Sequence, residues 1–161
     1  MINRIGNWDK VTSIINNLEN EAKKASDISV KRWGLTAERI AKKHISAQDL
    51  GWQALSQRYL DSKVKKGYSN NILVRTSSYF QSITSWTMQG YAFVGVKREA
   101  KDSYGNVIAN IAAVHECGSI TANIPARPLW KPTLEEMKKE MAANPQFYNS
   151  AQIMVKNLQK Y

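Results

Sequence analysis

The chain has 161 residues, of which 43% are hydrophobic and 22% charged, and these values are typical of one globular domain. Lysine and arginine number 23 against 13 aspartate and glutamate residues, so the formal net charge is +10. No apolar run is long enough to span a membrane, the N-terminus lacks an apolar signal core, and the single cysteine excludes an internal disulfide bond, which fits a reducing compartment.

The first 46 residues have the apolar spacing of a long amphipathic helix. The apolar stripe consists of Trp8, Val11, Ile15, Leu18, Ala22 and Ala25, and it resumes after a break in phase at Val30, Trp33, Ala37, Ile40 and His44. The spacing predicts one helix over about residues 9–45, or two helices joined near residues 26–34, where Ser, Asp and Gly lower helix propensity. Such a stripe must pack against another apolar surface, either of the same chain or of a neighbouring subunit. The body of the same chain is favoured over an identical helix of a neighbouring subunit.

Ser46 and Asp49 have the spacing of a helix-capping pair, which predicts a second helix or turn-rich segment after them. Its apolar positions are Leu50, Trp52, Leu55, Tyr59 and Leu60. We expect this segment to end before Gly67. The basic residues at 63–66 then fall in its last turn, where positive charge interacts favourably with the helix dipole, so part of this cluster needs no ligand to explain it.

Strand-like sequence follows between residues 72 and 96. Residues 72–76 are an apolar lead, residues 79–87 are rich in β-branched and aromatic side chains, and residues 91–96 return as a strand after Gln89-Gly90. These features predict an antiparallel hairpin. The polar residues 97–105 predict an exposed loop that projects from the sheet. The apolar residues 107–115 are compatible with a third strand or a short helix.

Three prolines, Pro125, Pro128 and Pro132, favour a stiff and extended backbone over residues 123–131. We call residues 124–130 the proline-rich arm, and we expect it to be exposed and suited to docking, either onto the body of its own chain or onto another subunit. Arg127 is placed for a specific bidentate contact, or equally for an intramolecular salt bridge or carbonyl clamp. Trp130 is typical of a core anchor or an interface anchor.

Helical sequence returns after the arm. Pro132 predicts the start of a helix over residues 133–143, because the first turn tolerates a missing amide. Asn144-Pro145 interrupts the pattern, and a final helix is predicted over about residues 147–158.

The sequence offers little for catalysis. His115, Glu116 and Cys117 are the one cluster of catalytic residue types, and the other histidine, His44, is far away along the chain. A zinc site needs three or four ligands, and Cys117 beside Glu116 gains no obvious stabilisation of its thiolate. We therefore expect structural roles for this cluster, no metal, no cofactor and no enzymatic activity. A cysteine-dependent hydrolase using Cys117 and His115 is a third-ranked hypothesis.

The positive charge predicts attraction to polyanions, either nucleic acid or an acidic protein surface. It is scattered along the chain in pairs and short clusters, each of which is typical of a solvated helix face. Aromatic residues on the predicted strands would form a stacking platform if they were exposed, but recognisable nucleic-acid-binding signatures are missing. A basic nucleic-acid-binding module is therefore the second-ranked hypothesis.

Two stretches of the chain resemble one family, the tailed-bacteriophage virion morphogenesis or tail-completion proteins, also described as neck or head-tail joining proteins. The first contains WQALS at 52–56, IL at 72–73 and RTSSYFQSI at 75–83. The second contains AAVHECG at 112–118 and IPARPL at 124–129. Together they span residues 52–134, and the long N-terminal helix lies outside the resemblance.

The resemblance implies a structural virion protein of the neck or tail that is assembled in the host cytoplasm. We expect an α+β domain over residues 1–161, with a long helical segment at 1–46, a core with a small antiparallel sheet and the arm at 47–134, and C-terminal helices at 135–161. The implied partners are further copies in a homo-oligomeric ring, with six-fold symmetry as one option, and other phage neck, connector and tail proteins. DNA passing through the lumen is a further transient contact, and no membrane contact is expected.

A closed ring requires an interface in which one surface of a subunit meets a different surface of the next. The proline-rich arm is the predicted inserted side. Its interface residues are Ile124, Pro125, Arg127, Pro128, Leu129 and Trp130. The loop at 97–105 is predicted to contact the adjacent ring or the lumen through Lys97, Arg98 and Lys101.

Overall fold

The computed structural model describes residues 6–160, and their architecture is α+β as predicted. A long N-terminal helix is followed by two short helices, a two-stranded antiparallel sheet and four further helices. In chain order the elements are α1 (Trp8–Ala47), α2 (Gln57–Lys65), α3 (Ser78–Ser82), β1 (Ile83–Met88), β2 (Tyr91–Val96), α4 (Ile108–Cys117), α5 (Trp130–Ala143), α6 (Pro145–Tyr148) and α7 (Ser150–Leu158). None of the helices within residues 6–160 is both long and apolar enough to cross a membrane.

Helix α1 is one continuous helix of 40 residues, which settles the choice between one helix and two. Its first turn is capped by Asn7, whose side-chain oxygen accepts a hydrogen bond from the Lys10 amide at 3.0 Å. Gly34 does not break the helix. A Cβ at this position would lie 3.3 Å from the Cβ of Ala92, so the glycine allows the hairpin to approach α1 closely.

The predicted helix start at Ser46 and Asp49 is wrong, because α1 continues to Ala47. The Ser46 hydroxyl donates to the Lys42 carbonyl inside α1, and an Asp49 carboxylate oxygen lies 2.7 Å from Nδ1 of His44. Helix α2 begins only at Gln57 and ends before Gly67, as expected.

The hairpin is confirmed, with Met88 paired to Tyr91 across the two-residue turn formed by Gln89 and Gly90. Its first strand is shorter than predicted, because residues 78–82 form α3 and residues 72–76 form turns and bends. Residues 108–117 are helical, which decides between the strand and the helix left open by the sequence. The predicted final helix is divided at Asn149, whose side chain caps α7 by accepting from the amide of Ala151.

The hydrophobic core joins the C-terminal half of α1 to the hairpin, α3, α4 and the proline-rich arm. Its buried members are Ala41, Ile45, Tyr79, Ile83, Ile108, Ala112 and Leu129. Helices α5, α6 and α7 pack along α1. The core therefore holds the arm and α4 against α1, α3 and β1. The arm and α4 also border a groove.

Candidate functional site

The proline-rich arm lies against its own chain. The Arg127 amide donates to the His115 carbonyl at 2.6 Å, and the Trp52 indole donates to the Pro128 carbonyl at 3.0 Å. Leu129 is fully buried and Arg127 is 6% exposed. The expectation of an exposed arm is therefore wrong at these two residues, because intramolecular packing and hydrogen bonds cover them.

The other predicted interface residues of the arm have intermediate or high exposure. Pro128 is exposed, and Ile124, Pro125 and Trp130 are half-buried. Residues 125–129 belong to no helix, but the extended backbone predicted over 123–131 is wrong at both ends, because Asn123 has a positive φ of 49° and α5 begins at Trp130, two residues before Pro132. A contribution of the arm to a subunit interface stays a prediction.

The residues at 115–117 are used in three different ways. The Glu116 carboxylate accepts hydrogen bonds from the amides of Leu129 and Trp130 at the start of α5. Burial, followed by the nearby Arg127 guanidinium, lowers the pKa of His115. Cys117 is exposed. Within residues 6–160, no group of three or more His, Cys, Asp or Glu side chains is arranged to hold a metal ion.

A half-open groove of about 1310 Å³ lies beside the arm, and we call it the cationic groove. Its walls come from α2, residues 72–79, residues 102–106, α4 and residues 117–127. The basic side chains that line it are Lys63, Arg75, His115 and Arg127. Residues far apart in sequence thus place three cations and an imidazole around one space.

Lys63 is 4% exposed although the sequence predicted an ordinary basic helix end. Its ammonium group donates to the Asn71 carbonyl at 2.5 Å. Burial lowers its pKa, and the charges of Arg127 and Arg75 lower it further. The sequence carried no signal for this burial, because the segment that covers Lys63 is irregular and has no periodicity.

The loop at 97–105 is largely exposed, as predicted, and it carries Lys97, Arg98 and Lys101 at its surface. Asp102 organises the loop by accepting hydrogen bonds from the amides of Tyr104 and Asn106 at 2.9 and 2.8 Å. The predicted contact of the three basic residues with a neighbouring ring or with DNA stays a prediction.

The N-terminal part of α1 presents an apolar surface that its own chain does not bury. We call Val11, Ile15 and Leu18 the α1 stripe, and these residues are 43%, 63% and 45% exposed. Burial on this helix begins only at Glu21, and Ala25 and Ser29 follow at intervals of four residues. The expectation that the body of the chain covers the stripe is therefore wrong for these three residues, which precede the first buried position of α1, whereas Ala25 of the same predicted stripe is buried.

The chain is similar to a protein from an archaeon. An uncharacterized protein of Methanocaldococcus jannaschii is 31% identical over 96 residues, which cover 58% of this chain and 64% of the relative. The matched region thus spans less than two thirds of the relative's own length. No known protein family matches the chain, and no solved structure matches it.

Proposed function

We propose that this protein is a structural virion protein of the neck or tail-completion class, which joins or completes the tail by assembling into a homo-oligomeric ring. The proposal rests on the motifs at residues 52–83 and 112–129, and on one structural observation. That observation is the exposure of the α1 stripe on a long helix.

The α1 stripe is suited to contact between subunits. Val11, Ile15 and Leu18 follow one another at intervals of four and three residues, so their side chains lie on one side of the helix. Contiguous exposed apolar side chains on soluble proteins mark interaction surfaces. In a closed ring the stripe of one subunit meets a different surface of the next subunit.

The proline-rich arm enters this proposal in two ways. Pro128, with the half-buried Pro125 and Trp130, remains a candidate contact with a neighbouring subunit. Leu129 and Arg127 act indirectly, since their burial holds the arm in place. The exposed Lys97, Arg98 and Lys101 are the candidate contacts with an adjacent ring or with DNA in the lumen.

The test is the solution mass of the purified protein across concentration and salt, measured by light scattering behind a sizing column, with negative-stain images of large species. We expect rings from the wild type and monomers from Ile15→Asp. The matched control is Asn16→Asp, which introduces the same charge at the neighbouring exposed position. A wild type that is monomeric throughout, or an Ile15→Asp variant that assembles normally, contradicts self-assembly through the stripe.

A nucleic-acid-binding module is the alternative, and the exposed basic loop at 97–105 together with the net charge of +10 favours it. Phosphate contacts by lysine and arginine make affinity fall steeply with salt. The test is whether the monomer binds duplex DNA with such a salt dependence. Loss of this binding on replacement of Lys97, Arg98 and Lys101 by Ala supports this alternative over ring assembly.

A further inference from the structure

Two buried cations line the cationic groove without a carboxylate partner among residues 6–160. Lys63 and Arg127 are 4% and 6% exposed, and neither forms an ion pair within this part of the chain. Buried charges are normally paired, because moving an ion out of water is costly. An arginine cannot escape this cost by losing its proton.

The hydrogen-bonding capacity of these groups is also incompletely used. Nε of Arg127 and Nδ1 of His115 are buried and have no hydrogen-bond partner within the described residues. The Lys63 ammonium has three protons, and the Asn71 carbonyl accepts one of them. The remaining protons of the Lys63 ammonium and the Arg127 guanidinium are donors suited to an acceptor that enters the groove.

The acidic residue that lines the groove does not neutralise Lys63 and Arg127. Asp102 accepts from the amides of Tyr104 and Asn106 and from the Asn106 side chain at 3.0 Å. The Arg75 guanidinium is close enough to contribute to the lowering of the pKa of Asp102, after the hydrogen bonds from Asn106. Arg75 is thus partly balanced by Asp102, whereas Lys63 and Arg127 have no carboxylate partner among the described residues.

We infer that the cationic groove is a binding site for an oxyanion, the carboxylate or phosphate group of a ligand that enters the groove, with Arg127 and Lys63 as its principal partners. The guanidinium supplies a planar set of donors that matches either group, and the ammonium supplies a point charge. The groove, at about 1310 Å³, has room for a ligand much larger than the anionic group itself. This inference does not depend on ring assembly.

The experiment measures the melting temperature of the full chain in sodium chloride, sodium phosphate and sodium succinate at matched ionic strength and neutral pH. The variants are Lys63→Met and Arg127→Met. The control is Lys65→Met, which removes one charge from an exposed position of the same helix. A ligand that binds only the folded state raises the melting temperature, and at about ten times its dissociation constant we expect a rise of about 3 °C or more.

The inference predicts that phosphate, succinate or both raise the melting temperature of the wild type and of Lys65→Met, and that the rise is lost in both Lys63→Met and Arg127→Met. A rise with phosphate alone identifies a phosphoryl ligand, and a rise with succinate alone identifies a carboxylate. No rise above chloride in the wild type, or an equal rise in all four proteins, overturns the site. If one variant fails to fold, the other still decides the result.

Discussion

The carboxylate of Glu116 accepts a hydrogen bond from the backbone amide of Leu129 at 2.8 Å. This contact joins the end of α4 to the residue just before α5. The same carboxylate also accepts from the Trp130 amide at 3.3 Å, so a negative charge lies at the first turn of α5, where backbone amides lack partners within the helix. Glu116 therefore connects the proline-rich arm to α4 and caps the following helix.

Replacing Glu116 by Ala should lower the free energy of unfolding by about 1–3 kcal/mol, because two amides lose their acceptor. Glu116→Gln should cost less, since its amide oxygen can still accept a hydrogen bond without the charge. Urea unfolding followed by circular dichroism measures both changes. Glu99→Ala, on the exposed loop, is the control and should change little. Equal stabilities of Glu116→Ala and Glu99→Ala would disprove the capping role.

Leu129→Ala should lower the free energy of unfolding by about 2–5 kcal/mol, because it removes a fully buried side chain from the core. The matched control is Leu134→Ala on α5, where the side chain is 47% exposed. Chemical unfolding of the two variants at the same protein concentration separates them. If Leu129→Ala impairs assembly but leaves monomer stability unchanged, the residue acts at a subunit interface and not in the core.

Gly118→Ala should be strongly destabilising for two reasons. Gly118 has φ +77° and ψ +171°, a combination almost restricted to glycine, and an added Cβ would lie 2.9 Å from the Ala126 amide nitrogen. We expect a loss of about 2–4 kcal/mol in the free energy of unfolding.

The control for this prediction is Gly67→Ala. Gly67 has a similar φ of +73°, but nothing lies within 4 Å of an added Cβ. Gly67→Ala should lower the free energy of unfolding by about 1–2 kcal/mol, which is the cost of the left-handed conformation alone. Thermal or urea unfolding compares the two variants, and a Gly67→Ala loss as large as that of Gly118→Ala would show that the close approach to Ala126 contributes nothing.

Stability should fall below neutral pH partly because of His115. Burial and the Arg127 charge lower the pKa of His115 below its ordinary value of 6.5. The unfolded chain therefore binds a proton at this residue at a higher pH than the folded protein does. The contribution of neutral His115 to the free energy of unfolding is fully present above pH 6.5. It is lost as the pH falls from there through the lowered pKa of His115 in the folded protein.

His115→Gln tests this dependence, because it removes the titrating group from the same position. Urea unfolding of the wild type and the variant at several pH values on either side of 6.5 gives the difference in their free energies of unfolding. We expect the wild type to lose stability relative to His115→Gln as the pH falls. A difference that does not change with pH would exclude the predicted shift.

Local sequence determined the elements whose geometry depends on near neighbours. The strand-like residues on either side of Gln89-Gly90 were sufficient to predict the hairpin, because a two-residue turn fixes the pairing of the strands that flank it. The spacing over residues 9–45 was sufficient to predict a helix, and the prolines at 125 and 128 were sufficient to predict that residues 125–129 are not helical. The strand predicted at residue 79 failed at its start, where tertiary packing favours the short helix α3.

Only the tertiary structure decided which surfaces those elements bury. Periodicity identified an apolar stripe on α1, but only its later part is covered: Ala25 and Ile40 are fully buried, whereas Ile15 and Leu18 are exposed. Helix α7, more than 100 residues later in the chain, packs along α1. Likewise the cationic groove exists because Lys63 and Arg127, 64 positions apart in sequence, line the same space. A periodic pattern defines the faces of one element, whereas burial depends on which distant element reaches that face.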